Sequence, residues 1–112
     1  MKLPGAARAQ IDPAKVQQYL LSPSHPIGRA KARFFRRLGF TASRWEELRD
    51  ALLRHAGTGD ATAAAASPFG QKYLVRGILQ GPRNVAAVVS VWIVRANADD
   101  PVFVTAYPED VP

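Results

Sequence analysis

The sequence predicts an α+β fold: three N-terminal helices packed on one face of a C-terminal antiparallel sheet of three to four strands. Helix start and stop signals crowd residues 11–57, and the apolar spacing turns strand-like only after residue 68. The later strands are joined by connections too short for a parallel crossover, so they pair antiparallel. Helices first and strands after place the chain in the α+β class.

Asp12-Pro13 opens the first helix, an N-cap acid followed by proline at the first helical position. That helix buries Val16, Tyr19 and Leu20 and stops at Ser22-Pro23. A second runs from Ser24-His25-Pro26 to Leu38, with Gly39 as its C-terminal cap. Ser43-Arg44-Trp45-Glu46 fits a capping box for a third, which shows Trp45, Leu48 and Leu52 on one face and ends at Gly57. Residues 57–67, rich in Gly, Ala, Thr and Ser, read as a flexible connector. Strands follow at 71–80, 85–95 and 102–107, with Gly81-Pro82-Arg83-Asn84 as a turn. The run Val85–Arg95 is β-branched and almost continuously apolar, the mark of a central strand buried on both faces, with Trp92 in the core. The last strand alternates, setting Val102, Val104 and Ala106 against Phe103, Thr105 and Tyr107. The chain reads as one domain over 1–112, with a helical part at 11–56 and the sheet at 68–108.

At 47% hydrophobic residues and a mean hydropathy of −0.12, 112 residues suffice for a packed core. The absence of cysteine excludes a disulfide framework and thiolate metal sites, and two histidines alone do not make a structural zinc site. No stretch reaches the roughly 18–20 apolar residues of a membrane span, and Met1–Ala7 lacks the apolar region of a secretory signal. The expectation is a soluble protein of the bacterial cytoplasm without metal or cofactor. Its net charge of +6 favours nucleic acid or an anionic surface as partner, although a merely solvated basic face fits composition equally well.

The segment from His25 to Leu38 carries the chemistry. It threads Arg29, Lys31, Arg33, Arg36 and Arg37 through an apolar helical pattern without one acid. On a helical wheel with Ile27 at zero, Ala30, Phe34 and Leu38 lie within about 60°, and Lys31 falls at about 40°, inside the apolar stripe. A buried ammonium must either snorkel to water or meet an anion, so Lys31 is either a packed stem with a wet head or a phosphate-neutralising group. His25 sits at a helix start, where imidazole serves as a cap or moves protons near neutral pH. His55, near the C-terminus of the third helix, reads as a complement to the dipole there. Thr105 and Tyr107 share a strand face that is open if the helices cover the other, and Lys72 and Arg76 extend it as a basic floor. If the second helix packs on the covered face, either Lys31 emerges at the sheet's edge to reach Thr105 and Tyr107, or one of these assignments is wrong. No phosphate-binding glycine loop, nucleophile elbow or metal-spaced carboxylate cluster occurs. This inventory suits RNA cleavage by the substrate's own 2′-OH, where the protein need only move protons and stabilise charge.

The run from His25-Pro26 through Gly28-Arg29, Lys31-Ala32 and Phe34-Phe35, then Gly70–Tyr73, Val91–Val94 and Phe103–Tyr107, resembles the bacterial family of domain of unknown function 6883 over nearly the whole chain. More distantly the layout resembles toxin ribonucleases of the barnase, EndoU, colicin and RelE-like group. That resemblance implies helices before an antiparallel sheet of about four strands, metal-independent RNA cleavage, and a small antitoxin or immunity protein as partner. It implies His25, Lys31, Thr105 and Tyr107 as catalytic positions; the charge pattern adds Arg29, Arg33, Lys72 and Arg76 as the expected holders of RNA phosphates. The alternative is a non-catalytic basic module that binds RNA or an acidic protein. A third reading, an immunity protein, fits less well, because proteins that block basic ribonucleases tend to be acidic.

Overall fold

The computed structural model describes residues 1–22, 24 and 29–109, Arg29 by its backbone alone. Asp12 caps the first helix as its sequence requires, its carboxylate accepting the Ala14 N–H at 3.0 Å. Pro13–Lys15 form α1, and the backbone then widens into a π-helical turn over Val16–Leu20, closed by the Leu21 N–H on the Val16 carbonyl at 3.0 Å. Val16, Leu20 and Leu21 are wholly buried. The helix α2 spans Arg29–Arg37 and buries Ala32 and Phe35, with Leu38 just beyond, while Arg33, Arg36 and Arg37 face solvent. It ends in a Schellman motif: Phe40 N–H bonds the Phe35 carbonyl and Gly39 N–H bonds that of Arg36. Gly39 holds φ at 101°, a conformation only glycine adopts cheaply.

The expected capping box before α3 (Trp45–Thr58) does not form. A 3₁₀ turn over Ala42–Arg44 precedes the helix, so Ser43 lies inside a turn and its hydroxyl contacts Thr41 Oγ1 instead. Leu48, Ala51, Leu52, His55 and Ala56 form the buried stripe of α3.

Four antiparallel strands lie in the order β1 (Asp60–Ser67), β2 (Gly70–Gln80), β3 (Val85–Arg95) and β4 (Val102–Pro108). The connector expected at 57–67 is therefore mostly strand. Its alanines have weak β-propensity, but the unpaired edge of β2 supplies a backbone ladder, and Ala61 packs into the core. The register slips between Ala63 and Ala66, as expected where small side chains specify it weakly. Val88–Trp92 of β3 is buried throughout, in keeping with a strand covered on both faces. The helix α3 covers one face, and its His55 reaches Ser90. The C-terminus of α2 abuts the β2–β3 turn: Arg83 N–H bonds the Leu38 carbonyl at 3.0 Å and the Asn84 amide bonds that of Arg37 at 2.8 Å.

The strict alternation expected along β4 breaks at a bulge. Val91 pairs with Thr105 but Trp92 pairs with Phe103, leaving Val104 unmatched. Phe103 and Ala106, three residues apart, are consequently both core residues, and Phe103 meets Trp92 edge-to-face at 5.3 Å. The start of β4 is covered by the N-terminal segment, where Gln10 bridges Val102 in parallel.

Candidate functional site

Lys31 lies on the buried stripe of α2, as its wheel position predicts, and is half-buried. Its Nζ donates to Tyr19 Oη at 2.8 Å and to Thr105 Oγ1 at 2.7 Å, and these two hydroxyl oxygens stand 3.3 Å apart. The ammonium also lies 5.0 Å from the Tyr19 ring centroid and 6.0 Å from that of Tyr107. Among the described residues no carboxylate forms an ion pair with Lys31 or with Lys15, whose own ammonium is 5.8 Å from the Tyr19 ring. Two of three ammonium hydrogens are thus spent on neutral oxygens, leaving a charge that an anionic ligand would complete.

Sheet geometry explains the meeting. Thr105 and Tyr107 pair with Val91 and Val89, which alternate with Ser90 and so belong to the face turned away from α3. Since β4 is an edge strand, the four-carbon stem of Lys31 reaches Thr105 at that edge. Beside the trio opens a cleft of about 570 Å³, lined by Asp12, Lys15, Gln18, Tyr19, Val104 and Thr105 among others.

Burial alone would push the Tyr19 phenol up. The hydrogen bonds to Lys31 and Thr105 and the charges of Lys31 and Lys15 outweigh it and hold Tyr19 below the ordinary tyrosine range. A phenol so poised gives up its proton more readily than a free tyrosine.

The structure brings together Lys31, Thr105 and Tyr107 from the sequence-based set. His25 lies outside the described residues, as does the side chain of Arg29. Arg33 projects from the side of α2 opposite Lys31 and does not join the trio. Lys72 and Arg76 belong to β2, one strand removed from β4, on the same sheet face as Thr105 and Tyr107: Arg76 lies opposite Val89, which lies opposite Tyr107. Arg76 pairs with Glu109 at 3.4 Å, and Lys72 is exposed opposite Ile93. Sequence reasoning missed Tyr19, read only as an apolar position. Its signal was there: a phenol on a buried stripe needs a polar partner, and so does a lysine on the next one.

His55 is not a surface complement to the α3 dipole but a core residue, 2% exposed. Its Nε2–H donates to the carbonyls of Gly77 at 3.1 Å and Val88 at 3.0 Å, which fixes the tautomer, and Nδ1 accepts from Ser90 Oγ at 2.8 Å. Ser90 Oγ in turn accepts the Trp92 indole N–H at 2.8 Å. Burial holds the imidazole below its ordinary range, offset in part by the two carbonyls and by Glu109. Every group in this cluster is satisfied, and it offers no opening to a substrate.

Among the described residues no helix is long and apolar enough to cross a membrane. The model of the family described as a domain of unknown function, DUF6883, matches residues 2–110. No curated protein matches the chain. Among solved structures, a chain of a contact-dependent growth inhibition toxin–immunity protein complex from Klebsiella pneumoniae 342 aligns with a TM-score of 0.68 at 16% identity, covering 96% of this chain and 98% of that one. At that identity the likeness shows a shared fold.

Proposed function

We propose, from the premise that the chain belongs to the DUF6883 family, that this domain is a toxin-type ribonuclease whose centre is the Lys31–Tyr19–Thr105 trio. The observation that carries this reading is a half-buried ammonium held by two hydroxyls, without a carboxylate partner among the described residues, beside an open cleft. Fold likeness to a chain of a toxin–immunity complex supports the toxin context. It also favours a small immunity or antitoxin protein as partner.

In this mechanism the RNA 2′-oxygen attacks the adjacent phosphorus and the bond to the 5′-oxygen breaks. A 2′,3′-cyclic phosphate and a 5′-hydroxyl result. Lys31 neutralises the charge that builds on the non-bridging oxygens, where a preorganised cation acts most strongly. Thr105 donates to a phosphate oxygen and Tyr107 positions the scissile nucleotide. Tyr19, its proton loosened by Lys31, and His25, proposed on its sequence position alone, exchange protons with the attacking and leaving oxygens. The protein supplies no nucleophile and the scheme routes no step through a metal or cofactor. The bacterial cytoplasm, where tRNA and mRNA are plentiful, is the proposed place of action.

The test is incubation of the purified protein with tRNA, rRNA and mRNA, with Mg²⁺ and with chelator. Cleavage in both conditions is expected, ending in cyclic phosphates, and Lys31→Ala should lower the rate roughly 100- to 1,000-fold. Intact RNA in both conditions with folded wild-type protein overturns the catalytic reading. The second reading, a non-catalytic module, rests on the exposed arginines of α2 and predicts RNA or an acidic protein bound but unaltered.

A further inference from the structure

From Pro13 to Trp45 the chain contains Lys15, Arg29, Lys31, Arg33, Arg36, Arg37 and Arg44 but neither Asp nor Glu. Folding splits these cations. Lys31 turns inward to Tyr19 and Thr105, while Arg33, Arg36 and Arg37 stand on the solvent side of α2. The β2–β3 turn then adds a fourth arginine from a distant part of the chain. Arg83 is exposed, and its backbone N–H is fastened to the Leu38 carbonyl at 3.0 Å, next to the last turn of α2. Asn84 ties the same turn to the Arg37 carbonyl. Among the described residues none of these four guanidiniums pairs with a carboxylate, whereas Arg8, Arg44, Arg49 and Arg76 all do.

Arg36 and Arg37 also complement the negative end of the helix dipole, but that role explains neither Arg33, a turn earlier, nor Arg83, which is not on the helix. No large apolar side chain of α2 is exposed, and the turn that carries Arg83 adds only the single exposed Val85, so the α2 surface lacks the apolar centre that a protein interface requires. Unpaired, fork-shaped cations without an apolar centre match a sugar–phosphate backbone.

We infer that Arg33, Arg36 and Arg37, on the side of α2 away from Lys31, form with Arg83 beside the end of that helix a phosphate-binding face for RNA. The inference rests on the reading of RNA as the substrate and adds where the strand beyond the cleavage site is held. It makes the ligand a polynucleotide long enough to engage both sides of α2. A dinucleotide would reach only the cleft.

The experiment measures binding of wild-type protein to fluorescent 2′-O-methyl RNA, which lacks the nucleophile and stays whole. Salt is varied from about 50 to 200 mM. Each phosphate contact contributes a slope of about 0.7–0.9 in log K against log salt. Replacing all four arginines with glutamine should therefore lower the slope by about 3 and weaken binding by at least about tenfold. Melting temperatures of the variants check that the fold is kept. An unchanged slope with the fold intact overturns the inference. Capture of an acidic protein by the arginine face without any effect on RNA also overturns it. The two readings fail separately: an inactive enzyme that still shows the altered slope keeps the face, and normal cleavage of a dinucleotide with an unchanged slope keeps the centre.

Discussion

Two polar clusters lie within one small core, and their difference separates structure from chemistry. His55, Ser90 and Trp92 form a closed circuit in which each donor meets an acceptor and no side chain is open to solvent. Lys31, Tyr19 and Thr105 form an open one, at the edge strand, with a charge that among the described residues meets hydroxyls and rings but no carboxylate. Both clusters satisfy their hydrogen-bonding groups, but only the second retains a surplus that a ligand can meet. A closed circuit ties α3 to two strands. An open one sacrifices some stability to keep a cation ready.

The contrast is sharpest if each cluster is broken in turn. His55→Ala leaves the Ser90 hydroxyl hydrogen and the carbonyls of Gly77 and Val88 without their imidazole partner and opens a cavity, so unfolding in urea should show a loss of about 3 kcal/mol or more. Lys31→Met, which keeps the stem and removes the charge, should change stability by less than about 1 kcal/mol while slowing RNA cleavage roughly 100- to 1,000-fold. Equal losses from the two substitutions would erase the distinction. Trp92→Phe removes one donor from the closed circuit and should cost about 1 kcal/mol from that bond plus the lost ring area.

Mild acid should act on the closed cluster. Since His55 in the folded chain lies below its ordinary range, the unfolded chain takes up a proton first as pH falls below about 6.5. Its contribution to stability is then complete above that value and lost as pH falls toward the folded pKa. Urea midpoints between pH 7.5 and 5 should fall in the wild type and fall less in His55→Gln. A profile shared by both proteins removes His55 from the account. The smallest effect is spectroscopic. In an alkaline titration one phenolate should form ahead of the ordinary tyrosine range, and that early component should vanish in Tyr19→Phe.

Much of this was legible in the sequence where one signal dominated. Val85–Arg95, bounded by turns and dense in β-branched residues, forms the strand expected of it. Lys31 announced itself by breaking an apolar stripe. The features that escaped depend on what a segment meets rather than on what it contains. Asp60–Ser67 is a strand because β2 offers it a ladder, which an alanine run does not reveal. The bulge at Val104 moves Phe103 into the core against the simple alternation. His55 gave no hint of burial, because its partners are backbone carbonyls and a serine scattered over β2 and β3. Ser43 had the composition of a cap but a 3₁₀ turn ahead of it.

The widened turn at Val16–Leu20 has a consequence for chain length. A π turn holds one residue more than the α turn it replaces. Deleting a single residue there would relax it to ordinary helix and rotate whatever follows by about 100°. Either Tyr19 would swing off the Thr105 hydroxyl, or Leu20 and Leu21 would leave the core. The phenol's aim and the burial of the two leucines are thus encoded together by a residue count, and a shortened chain cannot keep both.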